Sequence, residues 1–391
     1  MSYAVAVELQ LEARIAAPPT AVWRYVTDPV RMNEWSLAPI KLLAAGDGDA
    51  ADGVGAYRRV DVRARTGPVR LFEVIEHSEP PARLVYRVVR GPELLRSHRG
   101  ELTLRDDGGA TELRWQVRFD FAIPGVGALT RGELRGQLEA SLEALTRVAA
   151  GAAVVPLPPL RPWHDGDLAP LHVAARSFID IQRGLADELF AAADPKAWFA
   201  RVYQYVTEGQ LALIDGGGVT HREWALRLIP RFHAYYADNL ARWRGRAPGH
   251  AETSWAEAFG FAESAGPRPA AQKLVGGLLL GVRAHIEEDL PRALAEVWLD
   301  HFATRCDYAR FRADYLLMAP VFRTAADRLL DGMPRAMIPA WLRLARRTLP
   351  AELQDAITNR RSYDVPRRRL EAFERGGRLA AWARDRGSRP T

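Results

Sequence analysis

Two histidines stand among residues that give them something to do. In Gly281-Val-Arg-Ala-His285-Ile-Glu-Glu-Asp289-Leu-Pro291, His285 and Asp289 are four residues apart and share one face if the helix continues. A histidine and a carboxylate at that spacing can supply two ligands of a divalent metal site. The further donors by type are His233, Asp238, Asp300 and His301. The same two side chains can instead form a polar ligand-binding or acid-base pair. A third use is structural: Pro291 is tolerated in a helix's first turn, so Asp289 reads as the N-cap of a new helix starting at Leu290. His285 would then hydrogen-bond across the break.

His98 is the second. Strand alternation places His98, Gly100, Leu102 and Leu104 on one face, in register with core residues. A histidine there can move protons near neutrality. Arg59, with Tyr57 or Tyr86, would bring donors for an oxygen that develops negative charge. Adjacent Arg58 leaves open which arginine faces inward, and a strand histidine is often only hydrogen-bonded structure.

The elements that must position these residues fall into two groups. Residues 3–15 alternate as a strand, Pro18-Pro19-Thr20 opens a short helix, and Asp28-Pro29 starts a second that runs to about Trp35. Strand-like segments follow at about 40–46, 54–63, 68–77, 83–90, 95–105 and 111–120, separated mostly by turn-forming residues. Leu134, Leu138, Leu142, Leu145 and Ala149 then mark one apolar helix face. A curved antiparallel sheet gripping one long helix leaves an apolar cavity between them, the kind of space that holds small apolar ligands. Trp35, Tyr57, Phe72, Tyr86 and Trp115 are its expected lining. Residues 151–170, rich in proline, read as an extended linker. Beyond them the patterns are helical, at about 171–192, 195–214, 221–244, 252–262, 268–288, 291–304, 308–331, 335–348 and 366–386. Gly276, Gly277 and Gly281 suggest close helix packing.

The chain has 391 residues, 48% hydrophobic and 26% charged, which suits two globular domains and excludes wholesale disorder. A single cysteine, Cys306, excludes an internal disulfide framework and a cysteine-based zinc site. The N-terminus lacks the pattern of a signal peptide, and the most apolar stretch, 274–282, is about half a membrane span. A cytoplasmic protein is expected. The net charge of +6 invites a nucleic-acid partner, but it is unevenly placed. Residues 1–150 carry 20 basic and 20 acidic side chains, 151–334 carry 20 and 22, and 335–391 carry 14 and 6. The basicity belongs to the C-terminal stretch, which includes Arg367-Arg368-Arg369 and reads as a solvated face. No specific nucleic-acid partner is expected.

The runs IAAPPTAVWRYVTDPVRMNEW, VGAYRRV, FEVIEHSEPPARLVYRVV and GATELRWQVRF resemble the SRPBCC or START-related superfamily, in its polyketide cyclase/dehydrase and lipid-transport branch. The resemblance covers about residues 5–150 and rests on a diffuse pattern including Trp23, Asp28, Trp35, Gly55, Pro81 and Thr111. It implies a helix-grip fold enclosing a hydrophobic cavity, and it carries over no universal catalytic motif. In the second half, Ala284, His285, Ile286, Asp289, Leu290 and Pro291 match the Asn-Ala-His-Ile-Asn-x-Asp-Leu-Pro run of an uncharacterised family of all-helical bacterial domains. Arg283 and Glu287 depart from its asparagines. FARVYQYVT, the helix with Tyr236 and Asp238, and RLAAW extend that resemblance over about 195–385.

The expectation is therefore an α+β helix-grip domain over 1–150, a linker over 151–170 and an all-helical domain over 171–391. Its function is expected to be binding of a small hydrophobic molecule, polyketide-like or lipid, in the helix-grip cavity. The alternatives are a cyclase, aromatase or dehydratase using His98 and Arg59, or metal-dependent chemistry at His285 and Asp289. No cofactor beyond that metal is expected, and a homodimer is one arrangement open to the helical domain.

Overall fold

The computed structural model describes residues 6–386 apart from 66, 158–160 and 267–268. Pro158 and Pro159 of the expected linker lie outside the described residues. The chain divides into two compact units. One holds residues up to Pro162 with two short later segments, 309–313 and 350–353; the other holds most of the rest.

The first unit opens with β1 (Val7–Ile15), α1 (Pro19–Thr27) and α2 (Pro29–Met32). The Asp28 side chain caps α2 by accepting from the Val30 amide, with Pro29 at the first helical position. Six strands follow: β2 (Ile40–Ala44), β3 (Tyr57–Ala64), β4 (Gly67–Glu79), β5 (Arg83–Arg90), β6 (Leu95–Asp107) and β7 (Ala110–Phe121). They form one seven-stranded antiparallel sheet in which β1 pairs with β7 beyond the β2–β7 meander. The last helix, α3 (Val126–Val148), packs against β1 and β7. This is the helix-grip arrangement.

Period-2 alternation sets the sheet's inner face. Leu113, Trp115, Val117 and Phe119 of β7 pair with Leu104, Leu102, Gly100 and His98 of β6. Leu142, Leu145 and Ala149 close the core over this face, whereas Leu134 and Leu138 are only half-buried. The N-terminal half of α3 thus covers the sheet less completely than its C-terminal half.

The second unit has no strand among its described residues. In order along the chain come α4 (Ala169–Ala191), α5 (Ala197–Asp215), α6 (Arg222–Trp243), α7 (Thr253–Glu263), α8 (Ala270–Ala284), α9 (Leu290–His301), α10 (Arg312–Leu317), α11 (Ala319–Asp331), α12 (Ala340–Thr348), α13 (Ala351–Arg361) and α14 (Val365–Arg386), the first residues of α10 and α13 being counted with the first unit. α8 lies tightly on α7, because a Cβ on Gly277 would sit 2.8 Å from that of Ala262. The expected single helix over 308–331 is divided at Met318, and the apolar periodicity gives no sign of α13. Much of the C-terminal positive charge is paired within this unit: Arg367 and Arg368 bond to Glu371, Arg375 to Glu288, and Arg346 to Asp331. Among the described residues no helix is long and apolar enough to cross a membrane.

Candidate functional sites

The inner face of the helix-grip sheet gathers His98, Tyr86, Trp115 and Trp35. The His98 ring lies 6.2 Å from Tyr86 and 6.4 Å from Phe119, and Trp35 meets Trp115 edge-on at 6.2 Å. Trp115 donates its indole N–H to the Tyr86 hydroxyl at 3.1 Å. Tyr86 lies across Gly100, where any Cβ would fall 2.1 Å from the ring; only glycine lets the phenol occupy that place. Beside it a buried ion pair joins Arg58 Nε to Glu73 Oε1 at 2.9 Å.

Tyr57, Phe72 and Arg59 sit elsewhere. Arg58 pairs with Glu73 across β3 and β4, so the neighbouring positions Tyr57, Arg59 and Phe72 point to the opposite face of the sheet. There Tyr57 stacks on Phe72, with ring centroids 6.0 Å apart. Arg59 is half-buried and bonds to Asp61. The inward arginine is Arg58. Residue type suggests all three for the cavity; the register separates them from it.

His98 is not set up as a strong proton carrier. Its Nδ1 has no hydrogen-bond partner, and burial pushes its pKa down to about 4. Among the described residues no carboxylate bonds to the ring to orient it.

The helical unit presents a different arrangement. α8 and α9 form one continuous helix interrupted by a π-turn at His285–Asp289. The Leu290 amide bonds to the His285 carbonyl, five residues back. Asp289 has helical dihedrals (φ −75°, ψ −45°) and makes no cap bond, so the expected N-cap at a helix break is replaced by a π-bulge. Pro291 lacks the N–H that would reach the Glu287 carbonyl, and Arg375 Nη1 fills that place at 2.7 Å.

His285 and Asp289 share one helical face, with Nδ1 and Oδ2 at 2.8 Å. Asp289 is fully buried. Its Oδ2 also accepts from Trp255 Nε1 at 3.0 Å, and its Oδ1 from Arg292 at 2.9 Å. Arg292 in turn grips both oxygens of Glu252. Phe232 stacks on the His285 ring at 3.6 Å, and Tyr203 meets it edge-on at 4.5 Å. Burial in this aromatic box lowers the His285 pKa against the opposing pull of Asp289. The neutral imidazole therefore donates from Nδ1, and Nε2 has no partner.

Both Asp289 oxygens are occupied by donors, one of them a guanidinium cation. Among the described residues no group of three His, Cys, Asp or Glu side chains is placed to hold a metal. Asp238 is exposed on α6, and Asp300 and His301 are exposed as well. His233 is buried near His285, with its Nδ1 3.3 Å from Gln182 Nε2.

His285 also lines a cavity of about 340 Å³, and every residue around that cavity belongs to the helical unit. Phe232, Leu278, Val282, Met318 and Leu329 supply apolar walls, and Arg369 and Tyr363 supply polar ones. The volume lies at the small end of the range for small-molecule sites. Sequence reasoning missed this chamber. Its α13 wall (Asp355, Thr358, Asn359) has a weak apolar stripe, and Arg369 is hidden in a run of three arginines. The available signal is the spacing of Arg369 with Ala372, Phe373, Gly376, Ala380 and Ala383, the buried stripe of α14.

The buried histidines give a pH dependence with a definite sign. Burial lowers His98 and His233 to about 4 from the ordinary 6.5. Between those values the unfolded chain binds more protons, so stability is lost as the pH falls below about 6.5. Each histidine costs about 2 kcal/mol at pH 5. Urea midpoints measured at pH 7.5 and 5.0 should drop at the lower pH; equal midpoints would contradict the buried, neutral assignment.

Residues 6–150 match the family described as polyketide cyclase / dehydrase and lipid transport. Residues 177–374 match a family of unknown function, DUF5995. A solved structure from Thermus thermophilus is 20% identical over 37% of this chain and 100% of its own, with a TM-score of 0.31. A START superfamily protein from Mycobacterium smegmatis is 14% identical over 37% of this chain and 94% of its own, at 0.30. CalU16 from Micromonospora echinospora is 22% identical over 37% of this chain and 78% of its own, at 0.28. No curated protein matches.

Proposed function

This chain belongs to the family of unknown function DUF5995, preceded by a domain of the polyketide cyclase/dehydrase and lipid-transport type, and from that premise we propose that it binds a small hydrophobic molecule in the chamber of its helical unit. The observation that carries the proposal is the cavity of about 340 Å³ with its largely apolar wall. Apolar surface facing a space that water fills poorly is stabilised when an apolar ligand replaces the solvent. The helix-grip unit supports the same class of function through its fold. Its inner face is more crowded: Tyr86 covers Gly100, and the Arg58–Glu73 pair occupies the neighbouring floor. The half-buried surface around Leu134, Leu138 and Trp115 is the place in that unit for an apolar molecule.

A second reading, acid-base chemistry on the bound molecule, is favoured by one observation. His285 is oriented by Asp289 through Nδ1 and has a buried Nε2 without a partner, the pairing a general base uses. On this criterion His285 is a better candidate than His98, which has no carboxylate to orient it. The binding proposal is tested by titrating the full chain with N-phenyl-1-naphthylamine, a neutral fluorescent apolar probe. Saturable one-to-one binding is expected; a linear, unsaturable response would overturn it.

A further inference from the structure

Arg369 is a buried cation without a counter-charge. It is 2% exposed and lines the helical-unit cavity, yet no carboxylate among the described residues pairs with it. One Nη2 hydrogen goes to the Tyr315 carbonyl at 2.7 Å, and Nε has no partner. The guanidinium lies over the rings of Tyr315 and Phe322, each 4.4 Å from its carbon. Ring faces and one carbonyl soften the loss of hydration, but a buried charge is normally paired. The cavity's other arginine, Arg323, already holds Asp355 at 3.2 Å. Among the described residues Arg369 is therefore the uncompensated charge in a largely apolar chamber whose other charges, Arg323 and Asp355, pair with each other.

We propose that the chamber's ligand is an amphipathic carboxylic acid, with its carboxylate on Arg369 and its apolar body against Phe232, Leu278 and Leu329. The guanidinium fork matches a carboxylate's two oxygens, and such charge-assisted pairs are the strong ones in a low-dielectric site. A neutral apolar ligand would leave the cation as it stands; an acid removes the deficit. The inference rests on the reading of this cavity as a receptor and adds the chemical class of what it receives. It also assigns one member of the Arg367-Arg368-Arg369 run to recognition, while its two neighbours pair with Glu371 at the surface.

The test is calorimetric titration of the full chain with decanoate and, separately, with decanol at pH 7.5. Wild type should bind the acid at least about tenfold more tightly than the alcohol. Arg369→Gln should erase that preference while leaving decanol affinity within about threefold, and Arg369→Lys should retain part of it. Should Arg369→Gln fail to fold, the acid-to-alcohol ratio of wild type decides alone. Equal wild-type affinities, or a preference that survives Arg369→Gln, would overturn the carboxylate assignment and leave the receptor reading intact. Binding of neither probe would overturn the receptor reading itself.

Discussion

Asp289→Ala will lower the stability of the helical unit by about 3–5 kcal/mol, the range for breaking a buried charged network by removing one partner. Three donors converge on this side chain: His285, Trp255 and Arg292. Alanine strands the first two and takes one partner from the third. The Trp255 indole N–H and the His285 Nδ1 lose their acceptor in an aromatic interior, whereas Arg292 keeps Glu252 and the Glu288 carbonyl. Each orphaned buried donor costs about 1–3 kcal/mol, so the sum is consistent with the network figure. Asp289→Asn keeps the shape and one acceptor oxygen and should lose roughly half as much. Urea unfolding followed by tryptophan fluorescence and circular dichroism reads both. A loss below about 1 kcal/mol for Asp289→Ala would mean that the network is not what holds the π-turn together.

Val282→Trp will abolish binding of apolar molecules while leaving the fold intact. Val282 is half-buried on the cavity wall, one turn before His285. An indole entering a space of about 340 Å³ occupies room the ligand needs, and it does so in a void, where added volume does not force neighbouring side chains off their rotamers. Affinity for N-phenyl-1-naphthylamine should fall at least about tenfold, with stability changed by less than about 1 kcal/mol. Unaltered probe affinity in a folded variant would place the ligand outside the chamber.

How much of this was legible in the sequence varied with the kind of signal. Period-2 alternation marked β7, so Leu113, Trp115, Val117 and Phe119 fell on one face as expected, and the order of strands and helices followed the turn residues between them. The four-residue spacing of His285 and Asp289 put them on one helical face, as the structure has them. The π-turn beneath was not legible, because Pro291 reads locally as a helix start. Only Arg375, 88 residues from Glu287, shows how the continuing helix satisfies its backbone.

Residue type without register misled for Tyr57, Phe72 and Arg59. Irregular pairing at Phe72/Glu73 and Ile75/His77 means that alternation cannot be carried across β4 and β5 by counting alone. Arg369 was hidden for a related reason. In a run of three arginines on a helix, successive side chains point about 100° apart, so composition says "solvated" while geometry turns one inward. The pair His221 and Asp314, whose ring and carboxylate meet at 2.7 Å, was beyond sequence reasoning altogether, since 93 residues separate them.

If the apolar chamber of the helical unit is where the ligand sits, binding must leave its mark on the chamber's own walls. Hydrogen–deuterium exchange of the full chain, with and without saturating N-phenyl-1-naphthylamine, tests this most directly. Slowed exchange is expected in α5, α8 and α11, the helices that carry Phe199, Leu278 and Leu329 into the cavity wall, with β6 and β7 unchanged. Protection confined to β6, β7 and α3 would contradict it and return the ligand to the helix-grip face.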